Sequence, residues 1–303
     1  MKIAVSGSTG LIGSALVPFL ADAGHEVRRI VHTRPQTDDD ILWDQQEMRI
    51  DAARLEGLDA VIQLPGDELL SMRWSEQKKM QLYSNRVRAT ERLARTLARL
   101  HAPPRVFVAP AAIGYYGNRG DEVLTEASPP GQRGFLTAVC QDWEAAAAPA
   151  ADAGIRTVRL RTGVVLTPEA GALAAMLVPF RVGLGGCYGA RGQYVSWIAR
   201  DDAVRAVAYL LAADGLDGPF NLTAPEPVTM ATLARTLGRV LSRPAAIHIP
   251  PSFFRLFYGE VADETVLQST RALPERLLAA GFRFHYPDLE PALRHLLKRP
   301  AAR

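Results

Sequence analysis

The sequence predicts an α/β fold built on a doubly wound parallel sheet, and three observations carry that prediction. Apolar strand-like runs alternate with amphipathic helical segments over the first two thirds of the chain. The first run empties into a glycine-spaced loop that opens a helix. The chain has 303 residues, 48% hydrophobic and 22% charged, enough ordinary globular sequence to bury a large core.

The strand-like runs fall at residues 3–5, 27–31, 60–64, 106–109 and 157–160. Helix 11–23 stops at Gly24, a residue that ends helices by adopting positive φ. Segment 76–100 sets Met80, Tyr83, Val87, Thr90, Leu93, Leu97 and Leu100 on one face by three-to-four spacing. A further helix at 136–151 contains Pro149, which marks a kink or an early end. Strands separated by helices read as right-handed βαβ units. After Arg161 the pattern loosens into a glycine-rich stretch at 183–192, a helix at 201–213 and a short strand at 220–222. Helix 229–241, strand 246–249 and a terminal helix at 288–298 follow. This order predicts a nucleotide-binding domain over 1–165, completed by 194–224. Segments 166–193 and 225–303 then form a smaller mixed module on the substrate side.

The glycine loop reads Gly7-Ser8-Thr9-Gly10-Leu11-Ile12-Gly13. In that spacing the first glycine makes the tight turn and the second lets a pyrophosphate approach the backbone. The third lets helix and strand pack closely. The helix N-terminus then offers N–H groups and a positive dipole end to the phosphates. The loop therefore predicts a Rossmann-type dinucleotide site, with Leu64 beside it at the end of run 60–64. An acid about 20 residues further on would hold the ribose 2′-hydroxyl of NAD. The second run ends instead in Val31-His32-Thr33-Arg34. Arg34, helped by His32 or Thr33, is placed to pair a 2′-phosphate through its planar fork, so the expected cofactor is NADP, as NADPH. A solvated arginine on a turn is the alternative for that residue.

Composition excludes several other classes. The net charge is only +3, and no basic block interleaved with aromatics points to nucleic acid. Cys140 and Cys187 keep no metal-ligand spacing to the six scattered histidines, so no metal site is expected. No apolar run approaches the roughly 20 residues that span a bilayer. The expected setting is cytoplasmic, with reduced thiols, a small-molecule substrate and a possible homodimer through segment 76–100.

Together with Gly114-Tyr115-Tyr116-Gly117, these residues resemble the extended short-chain dehydrogenase/reductases. The chain is more similar to an atypical subgroup of epimerase-family proteins of unknown function that carry a small C-terminal module. Trp43-Asp44, Arg73-Trp74, Asp142-Trp143-Glu144 and the run from Leu160 to Leu166 carry that resemblance. Ser196-Trp197-Ile198, the run from Ala224 to Val228, and Ala280-Gly281-Phe282 before Tyr286-Pro287 extend it to the C-terminal end. The resemblance implies oxidoreductase or epimerase-like chemistry on a small polar substrate. It also implies a serine or threonine after the fourth strand and a Tyr-x-x-x-Lys on the next helix. There a phenol with a pKa of about 10 is tuned by the neighbouring cation.

The sequence departs from that set. The three positions fall at Ala111, Leu136 and Cys140, and none of the four lysines stands four residues after a tyrosine. Tyr115 and Tyr116 are the remaining candidates for the catalytic acid, since loops leaving strand C-termini line the ligand crevice. Arg161, Arg191 and Trp197 are candidate substrate contacts. Arg161 reads equally as a structural hub at a strand end, and Trp197 as a packing residue. Asp44 and Glu144 read as solvated or helix-surface acids. Two functions stay open: an NADP-dependent enzyme using a non-standard acid, and a non-catalytic NADP(H)-binding sensor or scaffold.

Overall fold

The strands that organise the molecule are β1 (Lys2–Ser6), β2 (Glu26–Val31), β3 (Ile41–Asp44), β4 (Arg49–Ile50), β5 (Ala60–Gln63), β6 (Val106–Ala112), β7 (Arg156–Thr162) and β8 (Gly218–Leu222). A computed structural model describes residues 1–32, 35–44, 49–64, 73–132 and 134–299. Across the sheet these strands run β8-β7-β6-β5-β1-β2-β3-β4. Every neighbouring pair is parallel except β3 with the edge strand β4. The order reverses between β1 and β5, so the crevice beyond their C-terminal ends is the expected ligand position.

Both faces are covered, as the strands' apolar character requires. On one face Ile3, Val5, Ile62, Val108, Val158 and Leu160 pack against helix α1 (Gly13–Asp22) and a later helix, Arg200–Ala212. On the other, Ala4, Ile30, Val61, Phe107 and Ala109 meet Leu93, Ala94 and Leu97. Those three residues belong to a helical stretch that is not one regular helix. It comprises α2 (Glu76–Tyr83), a π-turn (Ser84–Arg88) and α3 (Ala89–Leu97). The π-turn adds one residue to the turn and rotates the apolar stripe by about 100°. Met80, expected on the buried face, is accordingly 66% exposed, and Leu82 is buried instead. Helix 136–151 is likewise two pieces, α4 (Phe135–Ala145) and α5 (Ala148–Asp152), with Pro149 in the first turn of the second.

The edge strands β3 and β4 fall outside the runs read from the sequence. So does helix α6 (Gly171–Arg181), which interior Pro179 disguises. Helix Arg200–Ala212 is α7, and α8 (Met230–Leu241) and α12 (Leu289–Leu296) complete the larger helices. The short helices α9 (Pro251–Tyr258), α10 (Glu260–Glu264) and α11 (Glu275–Ala279) lie between those last two. Leu173, Leu177 and Phe180 of α6, Leu233 and Leu237 of α8, and Leu293 of α12 close around Trp197 as a separate core. Asp202 on α7 is fully buried and accepts N–H bonds from His285 and Tyr286 at 2.9 and 2.7 Å. That carboxylate ties the C-terminal segment to the sheet layer.

Candidate functional site

The glycine loop sits at the C-terminal end of β1. Gly7 has φ +73°, and a Cβ there would stand 2.4 Å from the Leu64 carbonyl oxygen. Only glycine fits that approach. A Cβ at Gly13 would stand 2.1 Å from the Gly7 carbonyl oxygen, so the turn and the start of α1 are in direct contact. Gly10 N–H closes the turn on Gly7 O at 3.0 Å. Among the described residues nothing accepts from the N–H groups of Leu11, Ile12 or Gly13. Ser8 and Thr9 lie on the open side of the same loop. Across the crevice, Gln63 is 6% exposed and its Oε1 has no hydrogen-bond partner among the described residues. A backbone cradle too tight for any Cβ, with donors left over, fits a dinucleotide pyrophosphate.

Asp40 controls the loop that leaves β2. It is 1% exposed, accepts Arg29 Nε and Nη2 at 2.9 and 3.0 Å, and takes the N–H groups of Gln36 and Thr37. Burial alone would raise its carboxyl. The bonds from Gln36, Arg29 and Thr37 outweigh that and hold it below the usual carboxylate range. His32 stands with its ring against Trp43 and Nδ1 3.2 Å from the Trp43 carbonyl. Thr33 and Arg34, the proposed 2′-phosphate contact, lie outside the described residues.

The catalytic positions of the resemblance are apolar and closed. Ala111, Leu136 and Cys140 are 1%, 5% and 6% exposed. A Cβ on Gly114 would lie 2.9 Å from Cys140 Sγ, so the thiol packs against the loop after β6. Burial pushes the thiol up to about 12.

The two candidate tyrosines part company here. Tyr116 is fully buried. Its hydroxyl donates to Asn221 Oδ1 at 2.7 Å, lies 3.0 Å from the Thr125 carbonyl, and accepts Arg161 Nη1 at 2.8 Å. Burial is the first cause that pushes its phenol up to about 12. With no access to a ligand and no free hydroxyl geometry, Tyr116 is a structural residue and not the expected acid. Tyr115 is half-buried, and its ring centroid lies 3.7 Å from Arg161 Cζ.

Arg161 itself is 3% exposed and bonds Glu144 through Nε at 2.7 Å and Nη2 at 2.8 Å. Its remaining contacts go to Tyr116 and the Glu126 carbonyl, which leaves no fork for a substrate. Of its two readings the structure bears the hub. Glu144, expected on the helix surface, is 7% exposed and is the hub's counter-ion. Trp197 is fully buried and donates Nε1 to the Glu226 carbonyl at 2.9 Å, which makes it a packing residue rather than a stacking platform. Arg191 is exposed, on the glycine-rich segment. It sits between Ala190 and Gly192, which help line a cleft of about 370 Å³. Asn118, Gln193, Arg255 and Ser269 line the same cleft, so its wall continues the Tyr115 loop and includes the C-terminal module. A second cleft of about 390 Å³ among Arg49, Arg92, Arg95, Arg99 and His101 lies beside the loops entering β5 and β6. That is the opposite edge from the crevice. Sequence reasoning missed Glu126, Asn221 and Arg86 altogether, because each is an isolated polar residue with no motif around it.

Fold and loop together define a dinucleotide-binding α/β protein. The model for the NAD dependent epimerase/dehydratase family matches residues 3–222, and a domain of unknown function (DUF1731) matches residues 249–296. The chain belongs to the NAD dependent epimerase/dehydratase family. It is 41% identical over 298 residues to epimerase family protein MT2273 of Mycobacterium tuberculosis, covering 98% of both chains. The crystal structure of human epimerase family protein SDR39U1 (isoform 2) with NADPH matches at a TM-score of 0.90 and 32% identity. That match covers 98% of this chain and 99% of the human one. A nucleoside-diphosphate sugar epimerase structure from Corynebacterium glutamicum matches at 0.81 and 32%, covering 98% of this chain and 58% of that one.

The burial of Cys140 and Cys187 yields a direct expectation. With both thiols pushed up by desolvation, the native protein at pH 8 should leave both unreacted with a thiol reagent, and denaturation should release both. Rapid labelling of native Cys140 would contradict the placement of α4 against the Gly114 loop.

Proposed function

We propose that the chain binds NADP(H) in the crevice between β1 and β5 and uses it in oxidoreductase or epimerase-like chemistry on a small polar substrate. The observation that carries this reading is the cradle itself: Gly7 beneath Leu64 O, with the N–H groups of Leu11, Ile12 and Gly13 left to donate to a ligand. The likeness to the human protein crystallised with NADPH supports the choice of dinucleotide. When bound, the dinucleotide supplies or accepts a hydride.

The chain's own residues do the rest. Leu11, Ile12 and Gly13 hold the pyrophosphate at the dipole end of α1, and Arg34 pairs the 2′-phosphate. The cleft between the Tyr115 loop, the glycine-rich segment and the C-terminal module receives the substrate, with Arg191 at its rim. Tyr115 donates the proton, its ring centroid 3.7 Å from Arg161 Cζ. On this reading its setting is the cytoplasm, where its two free cysteines stay reduced. A second reading, an NADP(H)-binding sensor or scaffold without turnover, is favoured by one observation: Ala111, Leu136 and Cys140 leave no standard acid.

Steady-state NADPH oxidation over a panel of small carbonyl compounds decides between the two. Turnover should fall by about 10²–10⁴-fold in Tyr115→Phe with NADPH binding retained. Tyr116→Phe should instead lose about 1–3 kcal/mol of stability, because it strands the Arg161 and Asn221 partners. Full activity in Tyr115→Phe removes that residue from the mechanism, and no wild-type turnover on any substrate favours the sensor.

Cofactor choice has its own test. NADPH should bind in preference to NADH, and Arg34→Asp should shrink that preference by about tenfold or more, the worth of one charge-assisted pair. An unchanged ratio would take Arg34 out of the site.

A further inference from the structure

We propose that the arginine-lined cleft beside the loops entering β5 and β6 is a second ligand site, built for a small molecule that carries an oligophosphate group. The inference is independent of the NADP(H) reading, because this cleft and the glycine loop lie at opposite ends of the parallel strands.

Three stretches of chain bring cations to one hollow of about 390 Å³. Arg49 comes from the edge strand β4, Arg92 and Arg95 from α3, and Arg99 and His101 from the turn that leads to β6. Ala98 keeps helical φ and ψ, so the spacing of three and four residues sets 92, 95 and 99 along one side. All four arginines are exposed, so the packing of the core does not require them. The C-terminal end of α3 carries a partial negative charge, about half a unit, which favours cations in its last turn. It does not account for Arg49, which belongs to the sheet.

Acidic compensation is thin. Among the described residues that line the cleft Glu56 is the one carboxylate, set against four arginines. That surplus is as large as the net charge of the whole chain, +3. Glu56 accepts the N–H groups of Ala102 and His101 at 2.7 and 3.0 Å, bonds that hold its carboxyl below the usual range. Its task is to pin the turn that presents Arg99 and His101. Arg95 Nε and Nη2 both rest on Glu91 Oε1, in a pair whose side chains are 54% and 42% exposed. A pair so exposed contributes about 0–1 kcal/mol and gives way to a stronger anion.

The ligand class follows from the donors. Guanidinium forks match phosphate oxygens two at a time, and several in one hollow suit adjacent phosphates better than a single carboxylate. The volume falls in the range of small-molecule sites, roughly 300–1,000 Å³. Ile50, Ala52 and Leu100 give the cleft an apolar wall for the rest of such a ligand. A nucleic-acid strand calls instead for a basic track along the surface.

The test is isothermal titration of the full chain, saturated with NADPH and at low ionic strength, with inorganic tripolyphosphate and with ATP. Tripolyphosphate should bind wild type one to one. Arg99→Glu should weaken it by about tenfold or more, the worth of one charge-assisted contact. Arg243→Glu, the same charge change on an exposed residue after α8, should leave it within about twofold, and Arg99→Lys should fall between. NADPH affinity should stay within about twofold in Arg99→Glu, which separates failure of this site from failure of the crevice reading. ATP tighter than tripolyphosphate identifies a nucleotide as the occupant, and equal affinity identifies the bare oligophosphate; both uphold the site. No binding to wild type, or equal losses in Arg99→Glu and Arg243→Glu, overturns it. A single-stranded oligonucleotide that displaces tripolyphosphate and binds about a hundredfold more tightly overturns it in favour of a nucleic-acid surface.

Discussion

The buried ion pair between Arg161 and Glu144 is the contact around which β7, α4, β8 and the C-terminal segment are arranged. Arg161 ends β7, Glu144 lies on α4, and the guanidinium reaches Tyr116 and the Glu126 carbonyl from the same position. Through Tyr116 the network passes to Asn221 on β8, whose amide donates to the Leu273 carbonyl of the C-terminal module at 2.8 Å. Glu126 closes the circuit by accepting the Asn221 N–H at 2.9 Å. A desolvated pair contributes little net stability compared with an apolar replacement, yet breaking it from one side costs about 3–5 kcal/mol. Its value here is positional: Arg161 Nε, Nη1 and Nη2 each find an acceptor, and the loop carrying Tyr115 and Tyr116 packs against the same guanidinium.

That arrangement accounts for the loss of the usual catalytic helix. In α4 the positions that would carry tyrosine and lysine hold Leu136 and Cys140, which pack. The helix is held at its N-terminus by Glu264, which accepts the N–H groups of Phe135 and Leu136 at 3.1 and 3.0 Å. Gly134, at φ +108°, leaves room for that carboxylate, since a Cβ would lie 2.4 Å from Glu264 Oε1. The helix has become a joint between the nucleotide-binding part and the C-terminal module. On the proposed reading the proton donor stands instead on the loop after β6, as Tyr115.

The nucleotide-binding half was legible in the sequence because its signals are local. The Gly7–Gly13 spacing, the strand before it and the continuous apolar runs of β1, β5 and β6 each sit within a few residues. The rest depends on contacts between distant residues. Glu144 and Arg161 were both noticed, one as a surface acid and one as a possible anion ligand, and only their 2.7 Å approach shows that each is the other's partner. Tyr115 and Tyr116 are indistinguishable as letters and separate only by burial. The π-turn leaves no compositional trace, so the face expected around Met80 was out by one residue, and Arg86 went unremarked.

The account stands on one geometric claim, that a dinucleotide lies across the C-terminal ends of β1 and β5 with its nicotinamide toward the Tyr115 loop. A crystal structure of the chain with NADPH measures it directly. The pyrophosphate should lie within hydrogen-bond distance of the Leu11 and Ile12 N–H groups, with the nicotinamide ribose beside Tyr115. Density for the cofactor outside that crevice, or a nicotinamide directed away from the loop after β6, would contradict it.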